Sequence, residues 1–302
     1  MIQFISLVSF SLLAPIAGFY FAPALTREIL RDLRLPRILH YVMLAGLGMA
    51  LFLQTHLPES MAETALFAGR LSLLAVSLAF AAVFAIVTNN ITDLETDKIS
   101  NTSRPLVKGT VQTAAYLKAG WLCLLTSIII SGLAHPAMLA GVLAISGGYY
   151  VYSCPPFRWK RYPFLAKMLI GFNSLAVAVC GFVLAGGQWH DFPLSWLLFI
   201  MFPLSLAANF VDLKDTEGDR LAQVKTLPVL WGEKKARQFI SFSTVLTYYS
   251  AVYLLQKYWL LPLVSALCFA HIYLLYRQPY QEKPVFGVYL TGLLGLIFFL
   301  FL

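Results

Sequence analysis

Long apolar segments separated by short polar loops run through almost the whole chain. Runs of about 18 or more apolar residues are long enough to cross a bilayer as helices. The pattern predicts ten such helices, at about residues 3–24, 36–54, 66–88, 112–133, 136–153, 164–186, 193–211, 236–255, 258–276 and 284–302. Pro15 and Pro23 interrupt the first segment, so a re-entrant or interfacial position is the alternative there. The fold class predicted is an all-α integral membrane protein.

Composition supports this fold class and leaves little room for a separate soluble domain. Of the 302 residues, 59% are hydrophobic and only 12% are charged, which lies outside the range of soluble domains. The basic residues are also distributed unevenly. All but Arg70 and Lys257 of the 22 lysines and arginines fall on one side of the predicted helices, and such residues mark cytoplasmic loops. Topology therefore explains the net charge of +8, and no nucleic-acid partner is expected.

The first segment has the reverse of a signal peptide's charge order. No lysine or arginine precedes it, and Arg27 follows it. We expect an uncleaved N-terminal helix, comprising residues 1–26, whose N-terminus lies outside. The rest of the chain, 27–302, is predicted to form one domain.

Two aspartate-rich clusters follow predicted helices on the cytoplasmic side. Residues four apart share one face of a helix, so Asn89, Asp93 and Asp97 point the same way, as do Asp215 and Asp219. The second cluster repeats the first at a constant offset, because Asp93 and Asp215, like Asp97 and Asp219, are 122 residues apart. This repeat predicts two facing half-sites.

The clusters need positive partners. Carboxylates at membrane depth are costly, and clustered carboxylates repel one another unless a cation neutralises them. A set of oxygen ligands suits Mg²⁺, so two half-sites are able to hold one polyanion through bridging metal ions. A single aspartate in a polar loop is more often merely solvated, but two repeated clusters are not explained that way.

Two loops beside the clusters supply cations and aromatic rings. Arg104 and Lys108 follow the first cluster, and Arg158 and Lys160 follow the paired prolines after residue 153. Guanidinium groups bind phosphate in a bidentate manner, while lysine acts as a point charge. Tyrosines precede the prolines, and their π faces are able to stabilise a cationic intermediate. Positive-inside bias and interfacial tyrosine belts are the ordinary explanations for the same residues.

Four ordered motifs resemble the UbiA superfamily of intramembrane prenyltransferases, from about residue 27 onward. The family pattern contains NDxxDxxxD, an RP-L loop, YSxPPxRxK and a second DxxxD within DxEGDR and KTLP. The matching residues here are Asn89, Asp93 and Asp97; Arg104, Pro105 and Leu106; Tyr152, Ser153, Pro155, Pro156, Arg158 and Lys160; and Asp215, Glu217, Gly218, Asp219 and Arg220 with Lys225, Thr226, Leu227 and Pro228. The family fold has nine helices, with its motifs after the second and sixth, and counting from residue 36 reproduces this order. The segment 3–24 would then be an addition to the family's bundle.

The resemblance implies a Mg²⁺-dependent enzyme whose partners are an isoprenyl diphosphate donor, a hydrophobic acceptor and the membrane lipid. In the family, Mg²⁺ links the aspartate motifs to the diphosphate, the allylic C–O bond ionises and the acceptor attacks the carbocation. The implied metal ligands are Asp93, Asp97, Asp215 and Asp219, assisted by Asn89 and Asp212. The implied diphosphate contacts are Asn89, Arg104, Lys108, Arg158, Lys160 and Lys225, and Tyr149 and Tyr152 are the candidates for carbocation stabilisation.

One position departs from the family pattern. Asn90 stands where the family usually has an acid, so the first cluster lacks one charge. The departure predicts weaker or different metal binding there, and a substitution that restores the acid, Asn90→Asp, is expected to preserve activity.

The sequence leaves the reaction partly open. An aromatic or quinone-precursor acceptor is preferred because it is the broadest class in the family. Alternatives within the family are prenylation of a glycerophosphate lipid or carotenoid, and cyclisation of the donor. An ion-coupled carrier is a remote alternative, because carrier sites tend to lie near the bilayer midplane on broken helices. We expect a prokaryotic inner membrane, with the aspartate motifs at the cytoplasmic face.

Overall fold

The computed structural model describes residues 20–302, together with residues 7, 9, 13, 17 and 18, and this part of the chain is helical without a β-strand. The helices are α1 (Pro23–Arg31), α2 (Leu35–Leu53), α3 (Met61–Thr92), α4 (Leu94–Ser100), α5 (Thr113–Ala134), α6 (Pro136–Ser153), α7 (Pro163–Leu184), α8 (Leu194–Lys214), α9 (Thr216–Leu221), α10 (Leu227–Leu255), α11 (Leu261–Tyr276) and α12 (Glu282–Phe299). Short 3₁₀ turns occur at Trp159–Arg161, Trp189–Asp191 and Tyr258–Leu260.

Membrane-length helices occur where the apolar pattern predicts them. Within the described residues, seven stretches are long and apolar enough to cross a membrane: α2, α3, α5, α7, α8, Tyr258–Tyr276 and α12. Helices α6 and α10 occupy two further predicted spans, 136–153 and 236–255. The all-α membrane fold is thus as predicted, while the number of spans stays a prediction.

The predicted N-terminal helix falls mainly on residues outside the described part of the chain. The described residues that follow form α1, whose Leu25 and Ile29 pack against the cluster of Val83 and Val87 from α3 and Tyr116 from α5. The predicted boundary between residues 26 and 27 falls inside α1, and this division stays a prediction.

Arg70 and Lys257, the two basic residues on the side opposite the other twenty, each bind the C-terminal end of a helix. The Arg70 Nη1 donates to the carbonyl of Leu184, the last residue of α7, at 2.7 Å. The Lys257 Nζ donates to the carbonyl of Phe299, the last residue of α12, at 2.6 Å. The last carbonyls of a helix lack partners within it and carry partial negative charge, so a cation there is stabilising.

Helices α2 and α7 cross at very small residues. A Cβ added to Gly48 would overlap the Ala178 carbonyl oxygen, and one added to Gly181 would overlap the Ala45 carbonyl oxygen. Because small residues let two helix backbones approach closely, they are favoured where membrane helices cross. This contact fixes α2, and the basic residues at its N-terminal end, beside α7.

Helix α8 is irregular where it approaches the second aspartate cluster. Pro203 lies in a π-helical turn, Ile200–Leu204, and a 3₁₀ stretch, Ala208–Lys214, follows. Proline has no N–H to donate and its ring collides with the preceding turn, so the helix widens there. In a 3₁₀ helix residues three apart share a face, and Asp212 and Asp215 accordingly line the same cavity.

Candidate active site

One cavity of about 230 Å³ is lined both by the aspartate clusters and by apolar helix faces. Its polar residues include Arg34, Arg37, Asn89, Asp93, Asp97, Arg104, Arg158, Lys160, Asp212, Asp215 and Asp219. Its apolar and aromatic residues include Tyr41, Leu78, Ala82, Ile86, Ile145, Tyr149, Tyr152, Leu169, Ile170, Phe210, Phe286 and Tyr289. The cavity therefore joins a site for a charged group to a wall suited to a hydrocarbon.

The two aspartate clusters have the same local geometry. Asp93 separates the long helix α3 from the short helix α4, and Asp215 separates α8 from α9 in the same way. Their backbone angles are nearly equal, φ −101°, ψ 10° at Asp93 and φ −100°, ψ 10° at Asp215. In each cluster the backbone N–H of the aspartate four residues later, Asp97 or Asp219, donates to the first aspartate's carbonyl at 2.8 Å. Helices α4 and α9 pack against each other, as the predicted facing half-sites require.

Basic side chains from the proline-rich loop neutralise the first aspartate. The Arg158 Nη2 lies 3.0 Å from an Asp93 carboxylate oxygen, and the Lys160 Nζ pairs with the other oxygen. Arg158 has left-handed backbone, with φ 47°, which non-glycine residues adopt rarely and which is concentrated at functional sites. Burial lowers the pKa of Lys160, and Asp93 opposes that effect. The loop thus holds two cations at the mouth of the first half-site.

Arg104 lies between two carboxylates. Its Nε is 3.6 Å from Asp97, and its Nη1 is 3.5 Å from Asp32, a residue that the sequence pattern did not identify. The same Nη1 donates to the Asn90 Oδ1. Among the described residues, no donor hydrogen-bonds the buried Asp97 Oδ2. This oxygen faces the Arg104 Nε at 3.6 Å, which is beyond hydrogen-bonding distance, so it is still able to accept a metal cation.

The second half-site is crowded with acids. Lys167 contacts both oxygens of Asp212, at 2.9 and 3.1 Å, so this carboxylate is already paired. Burial raises the pKa of Asp219 to about 7, and the Asp212 and Asp215 carboxylates act in the same direction. Burial likewise raises the pKa of Asp215 and of Asp97. A bound cation would relieve this desolvation and repulsion.

The donor set fits Mg²⁺ only together with an anion. In the described part of the chain, no three His, Cys, Asp or Glu side chains lie close enough to hold one metal ion by themselves. Mg²⁺ is usually bound by one or two carboxylates while substrate phosphates and water complete its six ligands. Asp97 on one side and Asp215 or Asp219 on the other match that pattern. Buried polar atoms of Arg34 (Nη2) and Arg158 (Nε) also have no hydrogen-bond partner among the described residues, which suits an anion.

Tyr149 and Tyr152 both line the cavity, as their proposed role requires. The Tyr149 hydroxyl lies 3.3 Å from that of Tyr41.

The sequence did not predict other polar groups in this region, because they come from distant helices. The His40 Nδ1 is 2.6 Å from the Tyr289 hydroxyl, and its Nε2 is 3.1 Å from the Ser174 hydroxyl.

Of the other predicted site residues, Asn89 lines the cavity, whereas Lys108 and Lys225 do not. Asn89 lines the cavity and accepts a 2.9 Å hydrogen bond from the Ser153 hydroxyl. Lys108 and Lys225 are exposed and are not among the residues that line the cavity. Arg34 and Arg37 do line it, although their positions in the sequence indicated only the positive-inside bias. An arginine pair three residues apart around a helix-starting proline was the available signal.

Family membership follows from comparison with known proteins. The model of the UbiA prenyltransferase family matches residues 42–285, which include both aspartate clusters, the RP-L loop and the proline-rich loop. The chain belongs to the UbiA prenyltransferase family. The resemblance seen in the motifs is thereby confirmed, and the matched region runs from within α2 to the beginning of α12.

Individual relatives of this UbiA protein differ in the acceptor that their names imply. Homogentisate geranylgeranyltransferase from Triticum aestivum is 30% identical over 195 residues, 58% of this chain and 47% of the relative. Digeranylgeranylglyceryl phosphate synthase from Methanococcoides burtonii is 30% identical over 175 residues, 55% of this chain and 60% of the relative. The chain spans about half the length of the curated plant enzymes that it matches.

A solved UbiA structure has the same fold. The structure of a UbiA homolog from Archaeoglobus fulgidus bound to DMAPP and Mg²⁺ matches with a TM-score of 0.67 at 19% identity, and the match covers 91% of this chain and 99% of that one. The prediction of an all-α UbiA-type bundle is confirmed.

Proposed function

We propose that this UbiA protein is a Mg²⁺-dependent prenyltransferase that moves an isoprenyl group from an isoprenyl diphosphate to an aromatic or quinone-precursor acceptor. One observation carries the proposal: a single cavity joins two facing aspartate half-sites and several basic side chains to an apolar, aromatic wall. A diphosphate ester of a hydrocarbon has this division into a polyanionic and an apolar part. The prenyltransferases named above supply the class of reaction.

The polar residues divide into two roles. Asp97, Asp215 and Asp219 are proposed as the main metal ligands, with Asp93 shared between a metal and the basic loop. Asn89 and Asp212 are assisting positions, and the pairing of Asp212 with Lys167 makes its role indirect. Arg104, Arg158 and Lys160 are proposed to bind the diphosphate, whereas Lys108 and Lys225 have no cavity contact to support that role.

The reaction breaks one bond and forms another. The allylic C–O bond breaks with its electron pair passing to the diphosphate, the acceptor bonds to the allylic carbon, and the acceptor loses a proton. When bound, Mg²⁺ supplies charge neutralisation to the diphosphate. Arg104, Arg158 and Lys160 hold the same group by charge-assisted hydrogen bonds. Tyr149 and Tyr152, which line the cavity, are proposed to stabilise the developing cation through their π faces.

The aromatic lining favours an aromatic acceptor. Tyr41, Phe210, Phe286 and Tyr289 line the cavity, and aromatic rings prefer offset or edge-to-face neighbours of their own kind. A glycerophosphate or carotenoid acceptor and cyclisation of the donor remain the alternatives within the family. An ion-coupled carrier is disfavoured, because both aspartate clusters lie at helix ends beside basic loops instead of at midplane.

The first test is diphosphate release by the purified full-length protein. The probes are geranyl, farnesyl and geranylgeranyl diphosphate, with and without Mg²⁺, and with aromatic, glycerophosphate or carotenoid acceptors. The proposal predicts Mg²⁺-dependent release that requires an aromatic acceptor and yields its prenylated product. Release that requires a glycerophosphate or carotenoid, or that needs no acceptor and yields a cyclic hydrocarbon, would contradict the acceptor assignment. No release from folded protein would contradict the enzyme assignment.

The hydrocarbon part of the donor is proposed to lie along α3. Leu78, Ala82 and Ile86 are each four residues apart, and all three line the cavity together with Ile145 of α6. They form a strip of roughly 12 Å, at about 1.5 Å per residue. This strip suits an extended prenyl chain.

Filling this strip should shorten the donor that the enzyme accepts. In Ala82→Trp the indole would occupy the middle of the strip, so we expect kcat/KM for geranylgeranyl diphosphate to fall at least about tenfold relative to that for dimethylallyl diphosphate, the shortest donor. A tenfold change corresponds to about 1.4 kcal/mol. Measurement of both donors on one preparation provides the internal control. An equal fall for both would place the hydrocarbon elsewhere.

The protein is embedded in a membrane, and its finer location is part of the proposal. We place it in a prokaryotic inner membrane, with the aspartate half-sites at the cytoplasmic face. Support comes from the basic residues, since Arg104, Arg158 and Lys160 lie at the end of the bundle that holds the clusters, whereas Arg70 and Lys257 cap helices at the opposite end. The division into residues 1–26 and 27–302 remains a prediction.

A further inference from the structure

Asp32 follows the last residue of α1 and lies beside the first aspartate cluster. Leu25, Ile29 and Leu33 pack against the small cluster formed by Val83 and Val87 of α3 and Tyr116 of α5. The Asp32 side chain is 18% exposed and lies 3.5 Å from Arg104. A carboxylate from outside the matched family region therefore contacts Arg104, which lines the candidate active site.

Asn90 connects Asp32 to Arg104. This asparagine is 1% exposed. Its Nδ2 donates to an Asp32 carboxylate oxygen and also, at 3.0 Å, to the Tyr116 hydroxyl, while its Oδ1 accepts from Arg104. Both polar atoms of the buried amide are thus satisfied, as burial demands. An amide is required at this position to bridge an acceptor and a donor, and a carboxylate here would face the Asp32 carboxylate directly.

Arg104 is held between the opposing carboxylates of Asp32 and Asp97. The guanidinium lies 3.5 Å from Asp32 and 3.6 Å from Asp97, longer than the roughly 2.8 Å of a tight charge-assisted hydrogen bond. The Asp97 oxygen in this contact is Oδ2, which no donor in the described part of the chain hydrogen-bonds. Without the pull of Asp32, the nearest carboxylate for Arg104 would be Asp97, and a tight pair would occupy that oxygen.

We propose that Asp32 is a positioning residue that acts through Asn90 to hold Arg104 away from Asp97, which keeps Asp97 available to a cation and Arg104 available to the diphosphate. The inference rests on the proposed function and adds a role for α1 to it. It also reverses the expectation for Asn90→Asp. That substitution alone places two carboxylates in contact, and it is expected to weaken donor binding instead of preserving it.

The test exchanges the charge between the two positions. The variants are Asp32→Asn, Asn90→Asp and the double variant, in which residue 90 carries the acid and residue 32 the amide. Glu28→Gln is the matched control, because Glu28 is an acid on the same helix that pairs with Arg31, at 2.9 Å, and not with Arg104. Two readouts are used: steady-state kinetics, and the shift in melting temperature of the full chain caused by inorganic diphosphate with Mg²⁺.

Asp32→Asn is expected to raise the donor KM and the half-saturating Mg²⁺ concentration about tenfold, the effect of one lost hydrogen bond to a charged group. Its kcat should change less, and its diphosphate-dependent melting shift should shrink. The double variant should recover most of both losses, whereas Glu28→Gln should behave as the unmodified protein.

Failure of this inference is distinguishable from failure of the proposed function. If the unmodified protein turns over donor and is stabilised by diphosphate, but Asp32→Asn matches it or the double variant is no better than the single ones, Asp32 has no positioning role. If the unmodified protein shows neither turnover nor stabilisation, the proposed function is wrong and the inference falls with it. A lower melting temperature without ligand in Asp32→Asn that the double variant does not restore would indicate a purely structural residue.

Discussion

Replacing Asp219 by asparagine is expected to reduce kcat at least about a hundredfold, because loss of one group that stabilises developing charge typically costs 10²- to 10³-fold. The amide keeps the shape of the side chain but removes the charge that a cation needs in the second half-site. The measurement is turnover at saturating donor and Mg²⁺, together with the melting temperature. The fold should persist, so this loss would be one of chemistry.

The stability of this variant follows from the pKa of Asp219. In the folded protein burial raises that pKa to about 7, from its ordinary value of 3.8. A raised pKa means that the folded state binds the proton more tightly than the unfolded state, so stability falls as the pH rises from about 4 to about 7. Without metal at pH 8, Asp219→Asn should therefore melt no lower than the unmodified protein. A marked drop would show that the carboxylate stabilises the fold.

Glu217 provides a matched control on the same short helix. It is exposed and does not line the cavity. Glu217→Gln removes the same charge two residues away, and turnover is expected to stay within about twofold, because exposed charges contribute little through screened interactions. Equal losses in both variants would mean that Asp219 acts through general surface charge. Full activity of Asp219→Asn would contradict the assignment of the second half-site.

Local patterns predicted much of the site because its parts repeat along the chain. The spacing of four placed Asp93 with Asp97 and Asp215 with Asp219, and the offset of 122 residues predicted two equivalent half-sites. The nearly equal backbone angles at Asp93 and Asp215 agree with that prediction. Such predictions succeed where helical periodicity alone decides which side chains share a face.

Contacts between distant segments could not be predicted in this way. Asp32 and Arg104 are 72 residues apart, and His40 and Tyr289 are 249 apart. Their meeting depends on how helices cross, which periodicity does not encode. The same limit explains Lys108 and Lys225, which belong to motif segments yet lie outside the cavity lining. A motif predicts which segment reaches the site, but not which of its side chains point into it.

The crossing of α2 and α7 carries the second large prediction. Gly181→Val is expected to prevent stable folding, because a Cβ there would overlap the Ala45 backbone carbonyl. Backbone on both sides leaves no flexible side chain to move aside. Overpacking usually costs about 1–3 kcal/mol even where neighbours can adjust, and the total stability of a domain is only about 5–15 kcal/mol. The measurement is the yield of monodisperse protein in detergent and its melting temperature.

Gly147→Val is the matched control, because it adds the same side chain to a helical glycine with nothing within 4 Å of its added Cβ. It should cost little stability.

The comparison of Gly181→Val with Gly147→Val also bears on the active site. The crossing of α2 and α7 determines where Arg34 and Arg37 enter the cavity that also contains the aspartate half-sites. If Gly181→Val folded normally, the close approach would be wrong, and the position of these arginines relative to the half-sites would have to change with it. If only Gly181→Val fails, helix crossing at small residues is what assembles the cavity, and the motifs supply its chemistry only after that contact has formed.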